Sequence, residues 1–248
     1  MPYIEMLTLS QWLLVLMCGL FIGMSKTGFS GFGLLVVPLL ASVFGGKPST
    51  GFLLPMLVMA DIFAVSWFRR HANWKYVFKP MPWAIIGLLI GLYVGEQISA
   101  EGFKQLIAAC ILGGIIVLLW NDFRKKKEVS HAPWFAALFG LVGGFSTMIG
   151  NAAGPIMAVY LLSTRIPRDN YIGTTAWFFM ILNVTKLPLQ AFVWHNITGD
   201  TLLFDLCLLP SIALGAWLGM VWVKKIPEKA YRIVIVVFTT LSSLALFL

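Results

Sequence analysis

Ten apolar runs, separated by little more than turns, take up almost all of this 248-residue chain. They fall at about 9–23, 31–45, 52–68, 80–97, 103–120, 133–148, 153–163, 172–194, 201–223 and 230–248. With 59% apolar and 11% charged residues, against roughly 45–50% and 25% in soluble domains, the runs outnumber what a water-soluble core could hide. The expected fold class is an all-α polytopic integral membrane protein with no soluble domain. A span needs about 20 residues at about 1.5 Å each. The first two runs and the sixth and seventh fall short of that, and are read as half-helices that enter the bilayer, turn at depth and leave.

The net charge of +8 is first a topology signal. Arg69, Arg70, Lys75 and Lys79 share one connection, Arg124 to Lys127 a second, Arg165 and Arg168 a third, and Lys224, Lys225, Lys229 and Arg232 a fourth. The alternating connections hold only Lys47 and Lys104. The basic loops are therefore expected in the cytoplasm and both termini outside, with Trp67, Trp74, Trp83, Trp120, Trp134 and Trp222 at the interface. That accounts for the basic excess, and the lipid bilayer rather than nucleic acid is the implied partner. Cys18, Cys110 and Cys207 lie in apolar runs without metal-ligand spacing, so neither disulfides, metal nor cofactor is implied. A homo-oligomer stays open.

The chain repeats itself. Gly19, Leu20, Gly23, Ser25 and Gly33 recur 121 positions later as Gly140, Leu141, Gly144, Ser146 and Gly154. Pro82, Gly87, Gly91 and Ile98 recur 128 positions later as Pro210, Gly215, Gly219 and Ile226. Two blocks in the same order indicate duplication, into residues 1–125 and 126–248. Each half holds a broken hairpin and three passes. Three is odd, so the second hairpin enters from the opposite side and the halves are expected to be inverted copies. Alternating-access transporters are built on this plan, with substrate near the midplane.

The stretches "GLFIGMSKTGFSGFGLLVVPLL", "GLLIGLYVG", "GLVGGFSTMIGNAAGPIMAVYLL" and "ALGAWLGMVWVKKIPEKAYR" resemble the TauE/SafE family, also called the toluene sulfonate uptake permease family, over essentially the whole chain. The resemblance implies a bacterial plasma-membrane transporter of sulfite, sulfoacetate, sulfonates or related anions. "SKTGFSG" stands where a more purely glycine-rich turn is usual.

The segment "GMSKTGFSGFG" at 23–33 places polar backbone where lipid would leave it unsatisfied, so residues 24–32 must line protein or a wet cavity. A half-helix starting near Ser30 would aim free N–H groups and about half a positive charge into that cavity, which suits an anion. Ser25, Lys26, Thr27, Gly28, Ser30 and Gly31 are the candidate ligands there, and Ser146, Thr147, Gly150 and Asn151 those of the second turn. The competing reading has the glycines packing helices and the hydroxyls capping, with Lys26 reaching to water. Asp61 is about 15 Å into its pass; it either carries a proton or is the counter-ion of Lys26 or Lys186. Asn183 and Lys186 lie on the corresponding pass of the second half. Thr174, Thr175 and Gln190 read as interhelical hydrogen bonds, Gly87, Gly91, Gly95, Gly215 and Gly219 as packing, and Arg165 and Arg168 as topology charges. His71, His131 and His195 read as surface groups.

A small anion is thus the expected substrate, with protons as the candidate coupling ion, and export is the expected direction. A cytoplasm-negative potential drives an anion outward by about 2.3 kcal/mol per charge per 100 mV. The rival readings are a channel using the same donors and an intramembrane serine protease built on Gly28-Phe29-Ser30-Gly31. The latter lacks a histidine within any apolar run to serve as base.

Overall fold

In a computed structural model of the protein, residues 7–29, 32–99 and 133–227 are described, together with positions 102, 105, 230, 233 and 237. Ser30, Gly31, Cys110, Trp120, His131, the basic loop at 121–131 and nearly all of the runs at 103–120 and 230–248 lie outside the described residues. Among those described, every element is helical: α1 Leu9–Thr27, α2 Phe32–Phe44, α3 Gly46–Phe68, a 3-10 turn Arg69–His71, α4 Trp74–Phe78, α5 Met81–Gln97, α6 Pro133–Gly150, α7 Ala153–Ser163, α8 Arg168–Phe192, α9 Gly199–Cys207 and α10 Leu209–Lys225.

Local signals explain several boundaries. Thr8 and Gln11 form a capping box that starts α1, and Thr198 and Thr201 form another that starts α9. Gly45 supplies the positive φ of 87° between α2 and α3. Among the described residues, four helices are long and apolar enough to cross a membrane, and a fifth if α9 and α10, bent by 50° at their junction, count as one span. Solvation is inside out relative to a soluble protein: Leu89 and Ile90 are exposed, whereas Asp61, Asn183, Lys186 and Gln190 are buried. Only lipid can wet such an exterior.

Three expectations are corrected. The first arms of the two hairpins, α1 with 19 residues and α6 with 18, are long enough to span, so only α2 and α7, with 13 and 11 residues, are short. The backbone expected to be irregular over 24–32 is helical through Thr27, because Lys26 and its neighbours find partners inside the bundle. The run at 201–223 is the bent pair α9–α10, broken ahead of Pro210, whose ring lacks the N–H that a continuous helix needs.

The repeated glycines make reciprocal contacts. A Cβ on Gly23 would strike the carbonyl oxygen of Ile212, and one on Gly144 that of Ala84. A Cβ on Gly87 would strike the carbonyl of Leu141, and one on Gly215 that of Leu20. Helix α1 thus packs on α10 as α6 packs on α5, backbone against backbone, and each hairpin is clasped by the other half. The long central helices repeat the pattern. Gly51 on α3 abuts the Asn196 carbonyl beyond the end of α8, and Gly173 on α8 abuts the Phe68 carbonyl and the turn after α3. Between these contacts, Asn183 Nδ2 donates to Asp61 Oδ2 at 2.6 Å. Gly51 and Gly173, like Asp61 and Asn183, are 122 positions apart.

Backbone cannot yield as a side chain can, so Gly23→Val and Gly144→Val should each destabilise by at least the upper end of the about 1–3 kcal/mol usual for overpacking. Gly46, whose added Cβ meets nothing within 4 Å, provides the control. Thermal unfolding of detergent-purified protein should drop in midpoint for both valine variants and stay put for Gly46→Ala.

Candidate functional site

Ser25, Lys26 and Thr27 occupy the last turn of α1. The helix stops where the N–H groups of Gly28 and Phe29 both turn back to the Met24 carbonyl. Two of the three hydroxyl or ammonium groups are committed locally. Ser25 Oγ donates to the Ile22 carbonyl at 2.9 Å, and Thr27 Oγ1 reaches the carbonyls of Gly23 and Ala216, both at 3.0 Å. Lys26 points away from these, toward α3 and α8. Its Nζ lies 2.9 Å from Asp61 Oδ1 and 4.5 Å from the centroid of the Phe179 ring. Asp61, fully buried, is held from its other oxygen by Asn183. Of the alternatives left open by the sequence, the counter-ion of Lys26 is the one the geometry realises.

The second turn is built differently. Helix α6 ends at Gly150, and Asn151 stops it in the left-handed region at φ 54°, which asparagine tolerates better than most residues. Its N–H still reaches the Thr147 carbonyl at 3.1 Å. The same carbonyl accepts from Lys186 Nζ at 2.8 Å, which also donates to Thr147 Oγ1 at 3.2 Å and to Asn151 Oδ1. Lys186 is fully buried, and among the described residues no carboxylate lies within ion-pair distance of it. Two consequences follow from donor and acceptor rules. Thr147 Oγ1 accepts from Lys186, so its own proton is free to donate elsewhere. Asn151 turns its oxygen to Lys186, which leaves its Nδ2 hydrogens without a partner.

Both turns open on one cavity of about 60 Å³. The first half lines it with Ser25, Lys26, Gly28 and Gly33, the second with Thr147, Asn151 and Gly154, and α8 with Thr175, Phe179 and Asn183 among others. Lys26 and Thr147 are repeat equivalents, as are Gly33 and Gly154. Gly33 and Gly154 are each the second residue of α2 and α7, so two helix N-termini border the space; the start of α7 has no side-chain cap competing for its N–H groups. Lys186 stands behind Thr147 and Asn151 rather than on the wall. Two lysines and one aspartate surround the cavity: Lys26 is ion-paired with Asp61, and Lys186 is held by the neutral oxygens of Thr147 and Asn151.

Some expected ligands are elsewhere. Thr27 is buried at the α1–α10 seam, where its Oγ1 sits against Gly219, and neither Ser146 nor Gly150 is on the cavity wall. Ser25 lines it but its hydroxyl proton is already spent. Thr174 behaves as expected, accepting the Asn73 N–H at 2.9 Å. Thr175 does not: it bonds to Tyr171 on its own helix and lines the cavity. Gln190 makes no interhelical bond among the described residues, where neither of its buried amide atoms has a partner. Arg168 caps the end of α10, donating to the carbonyls of Val223 at 3.0 Å and Ile226 at 2.9 Å. His71 and His195 are exposed. The sequence reading missed Phe179 and Thr175, although both were findable: they precede Asn183 by four and eight residues, on one face of α8.

Among the described residues, a helical bundle with an apolar exterior surrounds a cavity that brings a few polar groups together between two helix breaks, as in a polytopic membrane transport protein. The chain belongs to the sulfite exporter TauE/SafE family, whose model matches residues 15–246. No curated protein and no solved structure matches it.

Proposed function

We propose that the protein is a secondary transporter that exports a small sulfur oxyanion of sulfite size from the cytoplasm of a bacterial cell, by alternating access between two inverted halves in the inner membrane. The observation that carries this reading is the shared cavity. Equivalent positions of the two hairpins line it, Lys26 stands on its wall, and among the described residues the Asn151 amide hydrogens are an unspent donor there, beside one unpartnered acceptor, Asn183 Oδ1. The family match supports sulfite as the first substrate to test. Size points the same way. At roughly 10–15 Å³ of such volume per water-sized group, about 60 Å³ fits an anion of four or five heavy atoms.

In this mechanism the anion displaces water from the cavity and takes hydrogen bonds from Lys26, Thr147 Oγ1, Asn151 Nδ2 and the N-terminal N–H groups of α2 and α7. Lys26 meets it while still leaning on Asp61, and Lys186 contributes field through the groups it orients. The hairpins then rock with the halves that clasp them. The reciprocal glycine contacts support inverted repeats, since each hairpin packs on the second pass of the opposite half in the same way. Outward movement of a dianion gains about 4.6 kcal/mol per 100 mV, so the membrane potential alone is enough to drive export, with or without a coupled ion.

Purified protein in liposomes preloaded with unlabelled sulfite is the test. Saturable counterflow of labelled sulfite is expected, with sulfate competing and aryl sulfonates inert. Unitary currents would mean a channel, and equal flux of aryl sulfonates would remove the size argument.

A further inference from the structure

The central cavity leaves one buried acid unused. Asp205 lies on α9, one turn before the 50° break into α10. It is fully buried, and neither carboxylate oxygen has a hydrogen-bond partner among the described residues. Nor, among the described residues, does any cation reach it. Helix α9 packs on α3 and α10, whose ionisable groups are Lys47, Asp61, Lys224 and Lys225. Lys47 is turned to the Gly95 carbonyl and the Trp194 ring, Asp61 is paired with Lys26, Lys224 lies over Trp67, and Lys225 is exposed. On α9 itself, Asp200 and Cys207 are both exposed. Through the neighbouring Phe204, the aromatic packing also reaches α1 and α2 at Trp12 and Phe44. Lys26 is the only charged residue on either helix, and it is committed to Asp61.

The duplication supplies an internal control. Position 205 corresponds, at the 128-residue offset of the last block, to Val77 on α4, which likewise precedes a break into a long helix and is likewise fully buried. The architecture at this place is satisfied by a valine. A carboxyl group in its stead, inside the membrane and without a partner, is costly when ionised and is a functional candidate by default. It also stands in the last turn of α9, at the negative end of that helix, next to the kind of break at which transporters hold coupling cations.

We propose that Asp205 is a proton-carrying site, neutral in the state described here, and that it couples a proton gradient to movement of the broken span. A proton from water adds to one carboxylate oxygen when the α9–α10 break opens to one side, giving the neutral acid that tolerates this burial. The same O–H bond breaks, returning the proton to water and restoring the carboxylate, when the break opens to the other side. Asp61, already ion-paired, is not the carrier. The protonation itself is independent of the transport reading; the coupling rests on it.

Infrared spectroscopy of the full-length protein in lipid decides the first part. A carbonyl stretching band of a protonated carboxylic acid is expected near neutral pH, retained in Asp61→Asn and lost in Asp205→Asn. A band that survives Asp205→Asn, or is absent from the unmodified protein, overturns the proposal whatever the protein transports. Asparagine is close in shape to the neutral acid, so the variant should fold as well as its parent; Asp205→Glu, which keeps an acid but should displace the band, guards against the alternative. In liposomes, Asp205→Asn should retain sulfite counterflow, which needs no net proton movement, and lose the response of net flux to an imposed pH gradient. An unchanged pH-gradient response overturns the coupling. Absence of counterflow even in the unmodified protein would instead refute the transport reading and leave the infrared result standing.

Discussion

Asp61→Ala is expected to cost the protein about 3–5 kcal/mol of stability, the usual penalty for stranding one partner of a buried ion pair. Asp61 is fully buried and touches Lys26 Nζ at 2.9 Å and Asn183 Nδ2 at 2.6 Å. Removing it leaves Lys26 beside the cavity without a counter-ion among the described residues. The loss should be recoverable without restoring any charge. In the double variant Lys26→Met with Asp61→Asn, a neutral amide still meets Asn183 and the cavity loses both members of the pair, so stability should return to within about 1–2 kcal/mol of the parent. Anion transport should not return, because Lys26 is also a ligand in the proposed mechanism. Unfolding midpoints in detergent, read from tryptophan fluorescence as a double-mutant cycle, measure the coupling. A double variant no more stable than Asp61→Ala alone would show that the pair is not what Asp61 contributes.

The fold class was legible from composition and run length, because a chain this apolar has only helices to offer the bilayer. The duplicated glycines were legible too, and Gly87, Gly91, Gly95, Gly215 and Gly219 act in packing as read. Gly23 and Gly144 were marked as repeat positions, and the structure uses them for direct backbone contact with α10 and α5. No single-chain pattern says which partner a small residue will meet. The polar turn residues were harder still. Ser25, Lys26 and Thr27 are adjacent in sequence, yet at about 100° per residue they fan out to a carbonyl of their own helix, to the central acid and to a seam with α10. Of these three, only Lys26, whose ammonium has hydrogens left beyond its pair with Asp61, brings a spare donor to the cavity. Lys186 was read as a counter-ion candidate because a buried cation ordinarily seeks an acid. Here the negative end of a helix and an asparagine oxygen serve instead, an arrangement that depends on Asn151 taking a positive φ, which residue order alone does not reveal.

Lys186→Met should abolish anion transport while leaving the protein at least as stable as before. The ammonium is fully buried, with three oxygens and no carboxylate beside it, so replacing it with an apolar side chain of similar length removes a desolvated charge from the membrane interior. What is lost is the field at the cavity and the orientation of Asn151. Two unit charges roughly 7 Å apart at an effective dielectric of about 20 interact by about 2 kcal/mol. Binding of a monoanion should therefore weaken on the order of fiftyfold and that of a dianion by roughly the square of that factor. The dependence on ligand charge separates this from a generic packing defect, which would weaken both ligands alike. Equilibrium titration of the purified variant with sulfite across the pH range that converts it from monoanion to dianion reads the two factors in one experiment, with the thermal midpoint as the control for folding. Lys186→Arg keeps the charge but cannot fit its planar fork to the same three oxygens, so it should restore much of the affinity and little of the turnover. Equal losses for the two charge states in Lys186→Met, accompanied by a lowered thermal midpoint, would assign Lys186 to holding the end of α6 in place and leave Lys26 as the cation that draws the anion in.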